Sequence, residues 1–161
     1  MTTEWTTPTT LTQHAEEGAE SVHVQWDDLL TSTNGCLEHI ARSPKHDLRT
    51  KTYYLKATGF NFQNLPQSVS GIELRLSMKR RGRITDETIS LVFDGQTSEN
   101  RATLDLSPTK TYGGETDTWS VEGVSIADLN SNFGVLLRFQ AHPHWPHKDA
   151  AFIEAVELRI H

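Results

Sequence analysis

The chain has 161 residues, a single cysteine, 35% hydrophobic residues and a formal net charge of −6. Cys36 alone leaves no internal disulfide, which excludes a small secreted disulfide scaffold, and the acidic balance argues for a soluble protein and against broad nucleic-acid binding. No apolar run approaches the roughly 18 residues of a membrane span, and Met1-Thr2-Thr3-Glu4-Trp5 has no basic stretch leading into an apolar one. Neither a span nor a secretory leader is therefore expected. The length suits one domain, residues 1–161, able to bury a core without staples.

Residues 1–12 open with Thr2, Thr3, Thr6, Thr7, Thr9 and Thr10 around Pro8. Branched threonine favours extended backbone and Pro8 blocks helix, so an extended segment is predicted, an arm that pairs with the sheet edge of a neighbouring subunit. Val22 to Trp26 alternates. Residues 28–50 are polar, carry Pro44 and suggest a short helix around Cys36 to Arg42, which reads as an inserted excursion. Tyr53 to Phe62 reads as a strand pair or a bent strand.

The clearest strand is Ile72-Glu73-Leu74-Arg75-Leu76-Ser77-Met78-Lys79, apolar at every even position. A period of two means one buried and one wet face. Arg80-Arg81-Gly82-Arg83 supplies a turn, and Ile89, Leu91 and Phe93 face inward on the returning strand. Asp94-Gly95 is a strong turn dipeptide. Ala102, Leu104 and Leu106 predict a further strand, as do Trp119 and Val121, with Gly123 as a bulge that moves the inward phase to Val124 and Ile126. Ser125-Ile126-Ala127-Asp128 has capping-box spacing and predicts a single helical turn through Asn130. Phe133, Val135, Leu137 and Phe139 form the next inward set, and Phe152 to Ile160 the last strand, with Glu154 on its inward phase. Trp119 should be buried and Trp145 exposed or at a contact. Regularly spaced strands without a long helix predict an all-β fold, a single antiparallel sandwich of jelly-roll type with about eight strands and one short helical turn.

Several groupings of residues carry chemistry on paper. His142-Pro143-His144-Trp145-Pro146-His147, followed by Asp149, brings imidazoles close together, but the spacing matches no established zinc motif and two prolines spread the rings. A rigid aromatic contact loop is the better reading, with no metal. Lys79 to Arg83 packs four cations into five residues, which suits a solvated hairpin or an acidic neighbouring subunit better than DNA. Asp27-Asp28, Asp86-Glu87 and Glu16-Glu17 raise glycosidase carboxylates or calcium, yet sequence neighbours on a strand point to opposite faces, while paired catalytic carboxylates must face one another. Glu154 reads as a buried hydrogen-bonding residue. Cys36 and His39 lie close in sequence, which alone makes no dyad. With no Gly-x-Ser-x-Gly, phosphate loop or His-Glu-x-x-His, no enzymatic activity and no cofactor are expected.

Tyr112-Gly113-Gly114, Asp117 two residues before Trp119, Ala127-Asp128-Leu129-Asn130 and Phe133-Gly134-Val135 follow one another in an order that resembles a β-sandwich domain of tailed-bacteriophage structural proteins. Trp5-Thr6-Thr7-Pro8 with Glu17-Gly18, Tyr54 to Phe62 with Leu65-Pro66 and Gly71 to Leu74, Asp86 to Leu91, and Ile153 to Leu158 are similar to further blocks of that family. The likeness fails over residues 27–50, and Glu154 stands where Asp is usual. The resemblance implies a non-enzymatic virion protein, made in the host cytoplasm. It would be an accessory or decoration protein on the capsid or tail surface, held by other virion proteins and assembled as a homo-oligomer, a trimer by analogy. The candidate contact surface is Arg80, Arg81, Arg83, His142, His144, Trp145 and His147. The alternative is a carbohydrate-binding adhesion module of a tail or fibre, with Trp145, Tyr112 and Trp119 as its sugar-stacking residues, so a glycan partner stays open.

Overall fold

The computed structural model describes residues 1–29, 41–43, 50–104, 108–121, 123–142 and 150–161. Ten strands occur among them: β1 (Thr10–His14), β2 (Asp28–Leu29), β3 (Ala41–Arg42), β4 (Tyr54–Thr58), β5 (Ile72–Arg81), β6 (Ile84–Phe93), β7 (Gln96–Thr97), β8 (Thr109–Gly114), β9 (Gly134–Ala141) and β10 (Ala150–Ile160). One sheet runs β2-β3-β10-β5-β8 and the other β1-β4-β9-β6-β7, every pairing antiparallel. From β3 to β10 the connections trace a jelly roll, with four strands in each sheet, and β1 and β2 extend one edge of each. The fold class predicted from alternation is therefore the observed one.

The core lies between the sheets. Ile72, Leu74, Leu76 and Met78 all point into it and are at most 6% exposed, as the period of two in β5 requires. Ile89, Leu91 and Phe93 answer from β6, and Val135, Leu137 and Phe139 from β9. A bulge between Asp86 and Thr88 moves the inward phase of β6 from even to odd positions. β10 does the reverse. Ala151 and Ile153 face the core before an irregularity at Glu154, and Val156, Leu158 and Ile160 after it, with Ala150 also buried at the strand's start. Glu154 is therefore not buried but sits on the bulge, 36% exposed, with Lys79 Nζ at 4.0 Å.

Other expectations are corrected. Trp119 is fully buried as expected, but on no strand: Trp119 and Ser120 both have positive φ, in a turn. Asp117 holds that turn, its Oδ1 accepting from the Trp119 amide and from Arg101 Nη2, each at 2.8 Å. The indole Nε1 donates to the Ile72 carbonyl at 2.9 Å. Gly113 lies beneath the indole at φ +82°, where an added Cβ would meet Nε1 at 2.5 Å. Tyr112-Gly113-Gly114 is thus the end of β8, thinned so that a tryptophan can lie across it, and not a turn. Gly123 lies in a loop and bulges no strand.

Ala102 and Leu104 form no strand, Leu104 is 60% exposed at φ +56°, and Leu106 lies outside the described residues. Ahead of them, Ser98 Oγ and Asn100 Oδ1 accept from the Leu91 and Ile89 amides, while the Ser98 and Arg101 amides donate to the Leu91 and Ile89 carbonyls, so side chains and backbone together cover this edge of β6. Asp94 and Gly95 make the predicted tight turn, both at positive φ. The helical turn is α1 (Ile126–Leu129), with a complete capping box between Ser125 and Asp128 and Asn130 as C-cap. Val22 to Trp26 yields only an isolated bridge, from Val24 to Thr52. Residues 28–50 contribute β2 at their start and β3 at Ala41–Arg42 rather than an excursion alone, so the last two positions of the predicted helix around Cys36 to Arg42 are strand, while residues 36–40 lie outside the described residues.

The threonine-rich start pairs within its own chain. Thr6 exchanges backbone hydrogen bonds with Leu158, the Thr3 amide donates to Ile160 O, and the Ile160 amide donates to Thr3 Oγ1. It covers the part of β10's outer edge that β3 leaves open, so an arm reaching a neighbour is not what the structure places there.

Candidate contact surface

The β5–β6 hairpin collects the basic residues at one end of the sandwich. Register puts Arg81 opposite Ala150 and Arg80 opposite Ala151 in β10, and Ile84 opposite Ala141 in β9. The His142 amide donates to the Arg83 carbonyl at 2.9 Å, and Thr85 Oγ1 lies 2.6 Å from His142 Nε2. The structure therefore brings His142 to the arginine hairpin, a proximity hidden by some sixty intervening positions. Both flanks of residues 143–149 are anchored on the same hairpin. His144, Trp145, His147 and Asp149 fall in that segment, and Cys36 and His39 in another, all outside the described residues.

The four cations do not act alike. Arg81 and Arg83 are exposed at the tip, as is Lys79. Arg80 continues the inward phase of β5, is half-buried, and its Nη1 is buried without a hydrogen-bond partner among the described residues. A buried, unmatched guanidinium nitrogen is costly in a finished domain.

Among the acidic pairs, Asp86, Glu87 and Glu16 prove structural. Asp86 is 3% exposed and points inward, where its Oδ2 accepts from Tyr112 Oη at 2.8 Å and from the Thr103 amide at 3.1 Å. This ties one sheet to the other. Glu87, on the bulge, points outward and receives Arg138 through two hydrogen bonds, Nε to Oε2 at 2.6 Å and Nη2 to Oε1 at 3.1 Å. Thr88 Oγ1 also donates to it, and Lys51 Nζ lies at 3.3 Å. Burial alone would raise the Glu87 carboxyl, but the bonds from Arg138 and Thr88 outweigh it and hold the group at about 2. Arg138 also donates to Glu16 at 2.8 Å, and its guanidinium lies 4.2 Å over the Tyr54 ring. Both carboxylates at this site, Glu87 and Glu16, are engaged by Arg138. Among the described residues no three of His, Cys, Asp and Glu are placed to hold a metal.

The outer face of the other sheet is closed in the same manner. Arg75 forks onto Glu157 at 2.7 and 3.0 Å, and Arg159 Nε reaches Glu73 at 2.8 Å. Trp5 lies over both guanidiniums, at 4.3 and 4.5 Å. His161 joins Glu73 to Thr2, with Nε2 2.9 Å from the carboxylate and Nδ1 3.1 Å from Thr2 Oγ1. The aromatic start of the chain is a cap on ion pairs.

Set against family models, curated proteins and solved structures, the chain matches none. The chemistry of its surfaces is what remains to argue from. Tyr112 and Trp119, the expected sugar-stacking residues, are 6% and 0% exposed, so neither can present a ring to a glycan. No described helix is long and apolar enough to cross a membrane. One surface had no signal in the sequence reading: a concavity on the outer face of the β1-β4-β9-β6-β7 sheet. Leu136 on β9 and Val92 on β6 are apolar residues at outward positions that line it.

Proposed function

We propose that this protein is a non-enzymatic structural component of a tailed-bacteriophage virion, an accessory or decoration protein that attaches to the capsid or tail surface through protein contacts. The sequence resemblance motivates the reading, and a jelly roll whose motif residues serve turns and core is compatible with it. The observation that carries it is the convergence, at one end of the sandwich, of Arg81, Arg83 and His142 with both flanks of residues 143–149. A cationic tip joined to a segment whose sequence carries a proline-fenced tryptophan has the composition of an interface with an acidic subunit, an aromatic anchor and a charged rim.

The test is reconstitution. Particles lacking the protein are mixed with the purified full chain, sedimented, and the bound copies counted. Saturable binding, weakened in an Arg81→Glu/Arg83→Glu double variant that keeps the wild-type Tm, supports the reading. Failure to bind capsid or tail, or binding indifferent to the charge reversal, contradicts it. Light scattering of the free protein reports whether it assembles as a homotrimer.

A further inference from the structure

Two neighbouring parts of one sheet face have opposite character. In the first, Tyr54, Arg138, Glu87 and Thr88 satisfy one another. Beside it, Lys56 stands opposite Leu136, and Leu136 opposite Ser90. There the β6–β7 hairpin and Asn132 wall off a concavity of roughly 360 Å³, at the lower end of the volumes that hold small ligands.

Five polar side chains line it: His14, Lys56, Gln96, Thr97 and Asn132. None of the five makes a side-chain hydrogen bond or ion pair with the described residues, although His14 stacks on Tyr54 at 5.1 Å. The floor includes Leu136 and Val92, apolar residues on a face that is otherwise polar. No carboxylate contributes to the lining, in a chain with 21 acidic and 15 basic residues. An unpaired ammonium, an apolar floor and a rim of free amides and a hydroxyl match one kind of occupant.

We propose that this concavity binds an acidic monosaccharide unit, its carboxylate on Lys56, its hydroxyls on Gln96, Thr97 and Asn132, and its C–H face on Leu136. Burial and the Lys56 charge both hold His14 below its ordinary value, so at neutral pH the imidazole is uncharged and Lys56 supplies the cation. The carboxylate recognises charge, while the apolar floor and the rim separate a sugar acid from a bare anion. This site is distinct from the arginine hairpin, and particle attachment can hold or fail without it.

The experiment is calorimetric titration of the full chain with glucuronate, galacturonate and N-acetylneuraminate, with glucose and inorganic phosphate as controls. Saturable millimolar binding of at least one acidic sugar is expected, weaker at high salt. Lys56→Gln should weaken it about tenfold, the size of one lost charge-assisted hydrogen bond, and Asn132→Ala by a smaller factor. An unchanged Tm in Lys56→Gln confirms that the fold is intact. Absence of saturable binding for all three sugars overturns the proposal. So does equal binding of phosphate, or an affinity unchanged by Lys56→Gln.

Discussion

The two outer faces of the sandwich carry charge in different ways. On the sheet built around β5 and β10, each arginine that faces Trp5 is forked onto a glutamate and covered by the indole. On the sheet built around β6 and β9, one half is closed by Arg138 and Glu87, while in the other Lys56 and four more polar side chains make no side-chain hydrogen bond or ion pair with the described residues. A charge satisfied within the chain serves stability, and only an unsatisfied one is available to something outside. Composition does not separate the two, since Arg75, Arg138, Arg81 and Lys56 are all cations on or near strands. Partners do.

Substitutions can break this distinction, and their expected effects fall in a definite order. Glu87→Gln should be the most damaging surface change, costing about 3 kcal/mol in denaturant unfolding, because it leaves a guanidinium that is only 5% exposed with the half-exposed Glu16 as its one remaining described carboxylate. That is comparable to Leu74→Ala in the core, expected at about 2–5 kcal/mol for a side chain with no exposure. A loss below about 1 kcal/mol for Glu87→Gln would mean that Glu16 alone satisfies Arg138 and that Glu87 does not close this half.

Acid should do to Glu87 what the mutation does. Its carboxyl is depressed from 4.5 to about 2 in the folded chain, so its contribution is present above the unfolded value and is lost as pH falls from about 4.5 towards 2. A depression of this size corresponds to about 3 kcal/mol. Glu73 and Glu16 are depressed in the same direction. For Glu73, bonds from His161 and Arg159 outweigh its burial, and for Glu16 the bond from Arg138 leads. Stability measured between pH 6 and 3 should therefore fall less steeply in Glu87→Gln than in the wild type.

Trp5→Ala should cost about 1–2 kcal/mol, from two lost cation–π contacts and the area they cover. It should also loosen residues 1–9, seen as faster amide exchange at Thr3 and Thr6 but not at Leu74. Lys56→Gln should be smallest, within about 0.5 kcal/mol, since the residue has no hydrogen-bond or ion-pair partner among the described residues to lose. A larger effect would move Lys56 from the open class to the closed one.

The sequence made some of this legible and hid the rest for physical reasons. Alternation in β5 was plain because the strand runs unbroken with one wet face. In β6 and β10 a bulge reverses the phase midway, and a charged Asp86 or Glu154 at the switch misleads any reading at fixed period. Trp119, Val121 and Val124 imitate a strand, whereas the consecutive positive-φ pair at Trp119 and Ser120 comes from Asp117 and Arg101, bonds that no local pattern announces. The arginine hairpin could be read from composition. Its proximity to His142 depends on β6 pairing with β9, and the concavity draws residues from five strands, a turn and a loop, so neither leaves a local trace.

The account's central claim is that the protein works by occupancy, as one of many copies on a particle, and not by turnover. Quantitative mass spectrometry of gradient-purified virions tests it most directly. The account predicts a fixed, reproducible ratio of this chain to the major capsid or tail protein, unchanged through successive purification steps. Absence from the purified particles, or a trace amount that washes away while the free protein stays in the lysate, would contradict it.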